Sequence, residues 1–319
     1  MQMRAARALA EAPTNLHAQI MRQVIPVLKS ERENDKFVAA QVLGEYGAVS
    51  RSAAPDLLPM LQGTQYERNR AAAAKALGQI FKDAKPDKET NEVTAALIEA
   101  FNDQYVDVRR EAVGACGMIR SAAKTCIPNL TPLLKEPAGA KPNIVSEAAA
   151  WACERMGPLA KEHVDLLISL LFRNASQGTP AYVNALGEIG PVQDNIVPNI
   201  LNFMEVGPAW VMVQTWQTLQ KYGAKAEEVI PFAKRFLTRP HLYGVNDSRE
   251  KELTLIEAMK FLQAVGPKAV DALPQVEALT TYKEDFVDYS RIQKEAVKTA
   301  GILKGLAAGN SEKPAPGGK

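Results

Sequence analysis

Aromatic side chains are scarce in this 319-residue sequence, at 6%. Sheet cores lean on aromatic and β-branched residues, so a β fold is disfavoured, and the abundance of Ala and Leu favours helices. Cysteine is scarcer still: three residues and no Cys-x-x-Cys pair. That excludes a disulfide framework and a cysteine-built zinc site. The three histidines, His17, His163 and His241, lie far apart. No His-Glu-x-x-His run exists, and Glu162-His163 has the reverse order of a metal-binding His-Glu pair, so neither metal nor cofactor is expected. Neither charge sign dominates: 38 Lys+Arg face 36 Asp+Glu, a net +2. The whole chain therefore has no bulk attraction to nucleic acid or an anionic membrane. No apolar run reaches the roughly 18 residues that read as a membrane-spanning helix, so no membrane insertion is expected. The start, MQMRAARALAEAP, is too polar for a signal peptide, which favours a cytoplasmic protein and leaves an exported mature chain open. No Gly-x-Ser-x-Gly, P-loop or Gly-x-Gly-x-x-Gly occurs, so no hydrolase elbow or phosphate cradle is indicated and no catalytic residue is assigned.

What is present is a repeat. With Gly44 as an anchor, equivalent positions are Ala10, Gly78, Gly117, Glu154, Gly187, Gln220, Gln263 and Gly301, spaced 34, 34, 39, 37, 33, 33, 43 and 38 residues apart. One position before the anchor stand Leu9, Leu43, Leu77, Cys116, Cys153, Leu186, Leu219, Leu262 and Ala300. All are apolar, as a core-facing position requires. Small residues precede them, as in Ala39-Ala40, Ala73-Ala74 and Ala149-Ala150, and let neighbouring helices approach closely. Eleven residues after the anchor a Pro recurs at Pro55, Pro128, Pro198, Pro231 and Pro274. Proline suits the first turn of a second helix, where its missing N–H would have no partner. Beyond it Leu57, Met60 and Leu61 recur as Leu130, Leu133 and Leu134, then as Ile200, Phe203 and Met204, the i, i+3, i+4 face of a helix. Asp247 with Glu250 reads as a helix cap. Each unit is thus two helices, with the anchor glycine read as the stop of the first, and alternating helix pairs of this length build an α-solenoid.

The segments AAPDLLPML, CIPNLTPLL and YVDVRREAVGACG resemble HEAT repeats, of the bilin-lyase-like subgroup, over about residues 3–304. The resemblance implies an all-α fold, a right-handed α-solenoid of about eight helix pairs plus a final unpaired helix over 1–304, with a disordered tail over 305–319. It also implies an Asp/Arg ladder between successive repeats. Lys36, Arg70 and Arg109 hold the basic position here, and Ser146, Thr179, Met212 and Leu255 replace it later, so the ladder fades after the fourth unit. HEAT families bind proteins, less often nucleic acids, and some are enzymes, bilin lyases among them. The expected function is a non-catalytic scaffold for a protein or acidic peptide. A nucleic-acid binder and a HEAT-fold enzyme are the alternatives, and oligomeric state stays open.

In a repeat, function is sought where residues leave their column. On the solvent stripe of the first helices Trp151 is the one aromatic, with Met118 and Ile144 as apolar neighbours on the same stripe. Trp151 either anchors a partner, as exposed Trp residues often do, or folds against a loop such as 137–142. In this family the second helices line the inner surface. Their outward positions carry Arg173, Asn199, Asn202, Phe232, Arg235 and Arg239. An aromatic beside guanidinium groups points to carboxylate recognition. Trp216 falls in the small-residue core column.

Overall fold

In a computed structural model of the protein, described over residues 13–63, 65–135, 143–173, 180–283 and 288–311, helices follow the repeat read from the sequence. The chain divides into two compact units, 1–163 and 164–319. In unit 1 the long helices α2 (Glu33–Tyr46), α4 (Glu67–Ile80), α6 (Val106–Ile119) and α8 (Ile144–Met156) pack side by side as one layer. The second layer is α1 (His17–Val24), α3 (Ala54–Leu57), α5 (Lys88–Ala100) and α7 (Ile127–Leu134), three of them extended by 3-10 turns. Unit 2 begins with α9 (Val164–Arg173). It then alternates α10 (Pro180–Ile189), α12 (Met212–Tyr222), α14 (Ser248–Val265) and α16 (Ser290–Ser311) with α11 (Ile196–Val206), α13 (Ile230–Thr238) and α15 (Leu273–Ala278). This is an all-α solenoid. Within each unit successive long helices stack on one another because one stripe of each is apolar and must be buried.

The core columns lie where the periodicity puts them. Leu43, Leu77, Cys116, Cys153, Leu186, Leu219 and Leu262 are all buried, as are Leu57, Leu130, Ile200, Phe203 and Met204. Pro55, Pro128, Pro231 and Pro274 sit in the first turn of α3, α7, α13 and α15. Asp247 caps α14, accepting hydrogen bonds from the Arg249 and Glu250 amides at 3.0 Å. The last helix runs on to Ser311, past the expected end at 304, and the remainder of the tail and the first twelve residues lie outside the described residues.

The anchor glycine is not a helix stop. Gly78 lies inside α4, and a Cβ there would come 2.5 Å from the Ala115 Cα of α6. Gly117 likewise meets Ala152 and the Trp151 ring of α8. Glycine at this position is a contact between successive helices. The stop stands three residues further on, where Gly47, Gly157, Gly190, Gly223 and Gly266 all have positive φ. The fourth repeat puts Arg120 in that column at φ +61°. An L-residue there is strained by about 1–2 kcal/mol, and its exposed ion pair with Asp83 at 2.7 Å returns little. Arg120→Gly is therefore expected to stabilise unit 1 by about 1 kcal/mol, read as a raised denaturant midpoint; an unchanged or lowered midpoint would remove the strain argument.

The polar ladder is present in unit 1 and takes another form in unit 2. Arg70 makes a bidentate pair with Asp103, at 2.6 and 2.9 Å, and also donates to the Gln65 carbonyl. Arg109 donates to the Asp103 carbonyl at 2.8 Å, and Lys36 reaches Gln65 at 3.4 Å. In unit 2 neutral groups cross between helices: Gln220 to Glu257, Gln263 to Glu295 and Thr299, Thr218 to the Val183 carbonyl, and Tyr222 to the Leu186 carbonyl. Gln220 and Gln263 stand in the anchor column. Where glycine gives way, an amide ties to the next helix instead.

Two cysteines correct the sequence reading. Cys116, at the end of α6, and Cys126, just before α7, are disulfide-paired, with Cα atoms 6.7 Å apart. The turn between the two helices of this repeat returns the chain to its own anchor, which spacing in sequence does not reveal. Cys153 stays a free thiol, and burial, aided by Glu162, pushes its pKa up to about 12. Such a thiol remains protonated and inert near neutral pH.

Candidate functional site

Unit 2 carries an open groove of about 880 Å³ along α13 and the start of α15. Its floor is built from inside outward. Trp216 of α12 is fully buried and meets Phe232, Phe236 and Phe261 at ring-centroid distances of 5.8, 5.4 and 5.3 Å. These rings fix α13 on one face and turn its other face, with Lys234, Arg235, Thr238 and Arg239, into the groove. Pro240 follows the helix, and the connection Pro240–Tyr243 folds back to supply Leu242 and Tyr243 as a rim. Leu242 is 62% exposed. From the next repeat come Lys268, Asp271 and Gln275.

Charge in the groove is mixed. Arg235 donates to Glu205 of α11 at 2.8 Å, and its Nε lies 3.4 Å from the Tyr243 hydroxyl. The Tyr243 contact and then Glu205 hold the Arg235 pKa above its ordinary value. Lys268 pairs with Glu227. Lys234, Arg239, Glu228 and Asp271 have no ion-pair partner among the described residues. Uncommitted Arg239 thus stands at one end of the groove, two uncommitted carboxylates at the other, and Lys234 between them on α13.

Only Arg235 and Arg239 of the residues singled out in the sequence come together here. Phe232 does not: it is 1% exposed, and the expectation of an outward aromatic is corrected. Its column faces outward in other repeats, as at Asn129. Here the long connection after α13 lays Tyr243 over it, with ring centroids 4.7 Å apart. Arg173 ends α9 and is exposed, Asn199 donates to the Asn195 carbonyl at 2.8 Å, and Asn202 is exposed; none of the three lines the groove. In unit 1 Trp151 is half-buried with its ring over Gly117 and the Arg155 guanidinium 5.9 Å away. Met118, also half-buried, lies against Gly78, so it packs between helices. Ile144 opens α8, half-buried. The segment 137–142 lies outside the described residues.

Leu242, Tyr243, Glu228 and Asp271 were missed, although two signals pointed to them. The spacing of 43 between Gln220 and Gln263 is the longest in the chain, and its extra residues are the rim. Glu228 and Asp271 occupy one column, eight past the anchor, in successive repeats.

His163 is a core histidine. It is buried, with Nε2 2.8 Å from the Ile127 carbonyl and Nδ1 3.4 Å from the Thr131 hydroxyl. Among the described residues no group of three or more His, Cys, Asp or Glu gathers at metal-binding distance, and no helix is long and apolar enough to cross a membrane.

No family model and no curated protein sequence matches the chain. Solved structures do match in fold. Importin beta superposes with a TM-score of 0.64 at 16% identity, over 96% of this chain and 46% of its own. Kap121p bound to Ste12p gives 0.63 at 13%, over 91% and 35%, and Kap121p bound to Nup53p gives 0.62 at 12%, over 90% and 35%. The chain spans less than half the length of these karyopherins. It has their HEAT-repeat α-solenoid architecture, and no link to bilin lyases emerges.

Proposed function

We propose that the protein is a non-catalytic scaffold that holds a peptide segment of a partner protein in the groove of unit 2. The observation that carries this reading is the groove itself: an open trough on a rigid aromatic floor, with an exposed Leu242 and an uncommitted Arg239 at one end. A pre-formed trough with an apolar anchor and a few placed polar groups is what peptide capture requires. Support by analogy comes from solenoid structures solved with bound proteins, such as Kap121p with Nup53p or Ste12p. Nucleic acid fits less well, because Arg235 and Lys268 are neutralised by Glu205 and Glu227 and a phosphate backbone needs a continuous basic stripe.

Selection of displayed random peptides on the immobilised full chain tests the reading, with counter-screening on Arg239→Glu/Leu242→Asp. Both positions are exposed, so the fold should survive, as circular dichroism would check. Enriched peptides should lose at least about tenfold in affinity for the variant, the effect of removing an interface anchor. Equal retention, or no enrichment at all, would sink the proposal. Tighter binding of DNA than of any peptide at 0.15 M salt would favour the nucleic-acid alternative.

A further inference from the structure

We infer that the groove selects an extended segment carrying a cation and a carboxylate about five residues apart. The cation lies at the Glu228–Asp271 end and the carboxylate at the Arg239 end, next to an apolar residue on Leu242. The inference rests on the peptide-groove reading and adds the chemistry and register of the occupant.

Three observations support it. First, the uncommitted charges at the two ends of the groove differ in sign, with Lys234 between them. Glu228 and Asp271 stand before α13 and α15 in equivalent places of successive repeats, while Arg239 caps the far end of α13. The nearby Lys268 is paired with Glu227, and Arg235 with Glu205, so they cannot fully neutralise either end. Second, the acidic end offers several acceptors. Two carboxylates with Gln275 beside them suit a lysine or arginine, whose several N–H groups need several acceptors. Third, the length fits. Glu228 precedes α13 by two residues and Arg239 follows its last residue, so they stand about 17 Å apart at the helical rise. An extended chain covers that distance in about five residues. Leu242 follows Arg239 by three residues and is exposed, which places the apolar neighbour beside the carboxylate.

The test uses end-blocked, fluorescein-labelled six-residue peptides and fluorescence anisotropy with the full chain. Four sequences suffice: Lys-Ser-Gly-Ala-Leu-Glu, its reversal Glu-Leu-Ala-Gly-Ser-Lys, and two versions of the former with Lys or Glu at both ends. One mixed-charge peptide should bind about fivefold tighter than either like-charged one, and which of the two wins reports chain direction. Arg239→Glu should shift the preference to the peptide with Lys at both ends. Glu228→Lys/Asp271→Lys should shift it to the peptide with Glu at both ends. A like-charged peptide binding as tightly to the wild type, or an unchanged ranking in both variants, overturns the inference. If none of the four binds while library-selected peptides do bind at the groove, the charge register falls and the groove reading stands. If neither set binds, both fall.

Discussion

Replacing Arg70 with methionine is expected to cost unit 1 about 3–5 kcal/mol, the penalty for stranding one member of a buried ion pair. Its side chain is 3% exposed and that of Asp103 8%. Both Asp103 oxygens accept from the guanidinium, and the Tyr105 amide donates to Oδ1 at 2.9 Å. The double variant Arg70→Met/Asp103→Leu should be less destabilised than Arg70→Met alone, because no charge is then left without a partner. Guanidinium unfolding of wild type, single and double variants decides this. A single variant within about 1 kcal/mol of wild type would show that the pair contributes no more than a surface pair does. pH supplies an independent check. Burial alone would raise the Asp103 pKa, but the Arg70 hydrogen bond and the Tyr105 amide outweigh it and hold the carboxyl below its ordinary 3.8. A lowered carboxyl pKa stabilises the fold above the unfolded value, and that contribution is lost as pH falls through the folded value. The gap between wild type and Arg70→Met should therefore be full at neutral pH and narrow below about pH 4, where the unfolded carboxyl begins to take up its proton.

Trp216→Ala is the second large effect, about 3–5 kcal/mol from unit 2, since it deletes a fully buried indole among Phe232, Phe236 and Phe261. Trp216→Phe should recover more than half of that loss. It keeps a ring in place and removes an indole N–H that has no hydrogen-bond partner. Because the same rings hold α13, the alanine variant should also bind groove peptides more weakly even where it remains folded. Denaturant midpoints and peptide anisotropy, measured on both variants, separate the two consequences. A Trp216→Ala protein with unchanged stability would mean that the floor is not a packed core.

Periodicity made the solenoid legible because burial within a repeat recurs. The columns of Leu43 and Leu57 are buried in every described copy for one reason: each helix covers its own partner. Contacts made between copies leave no such trace. The anchor glycines read as helix stops from their sequence context, yet Gly78 and Gly117 are points where the next helix presses close, and only the φ angles of Gly47 and its equivalents locate the true stops. Phe232 failed for a related reason. Its column faces outward, and it is buried by Tyr243, a residue of the one connection long enough to fold back. Arg235 and Arg239 were legible as an outward pair on a second helix. The acidic end of the groove was harder to read: Glu228 and Asp271 share a column, but only the stacking of their repeats sets both on one groove. Trp151 departs from its column as the sequence indicates, and it lies over the gap that Gly117 leaves.

The Cys116–Cys126 pair sets how far this molecule can be drawn out. Pulled from its two ends, a helical array of this kind lengthens as its repeats peel apart. The ten-residue separation closed by the pair cannot join in. Oxidised and reduced chains should therefore differ in fully stretched length by about 28 Å, the reach of ten extended residues less the 6.7 Å that the bridge itself spans. Cysteine, among the scarcest residues in the sequence, thus fixes a segment of the fourth repeat that tension cannot unravel.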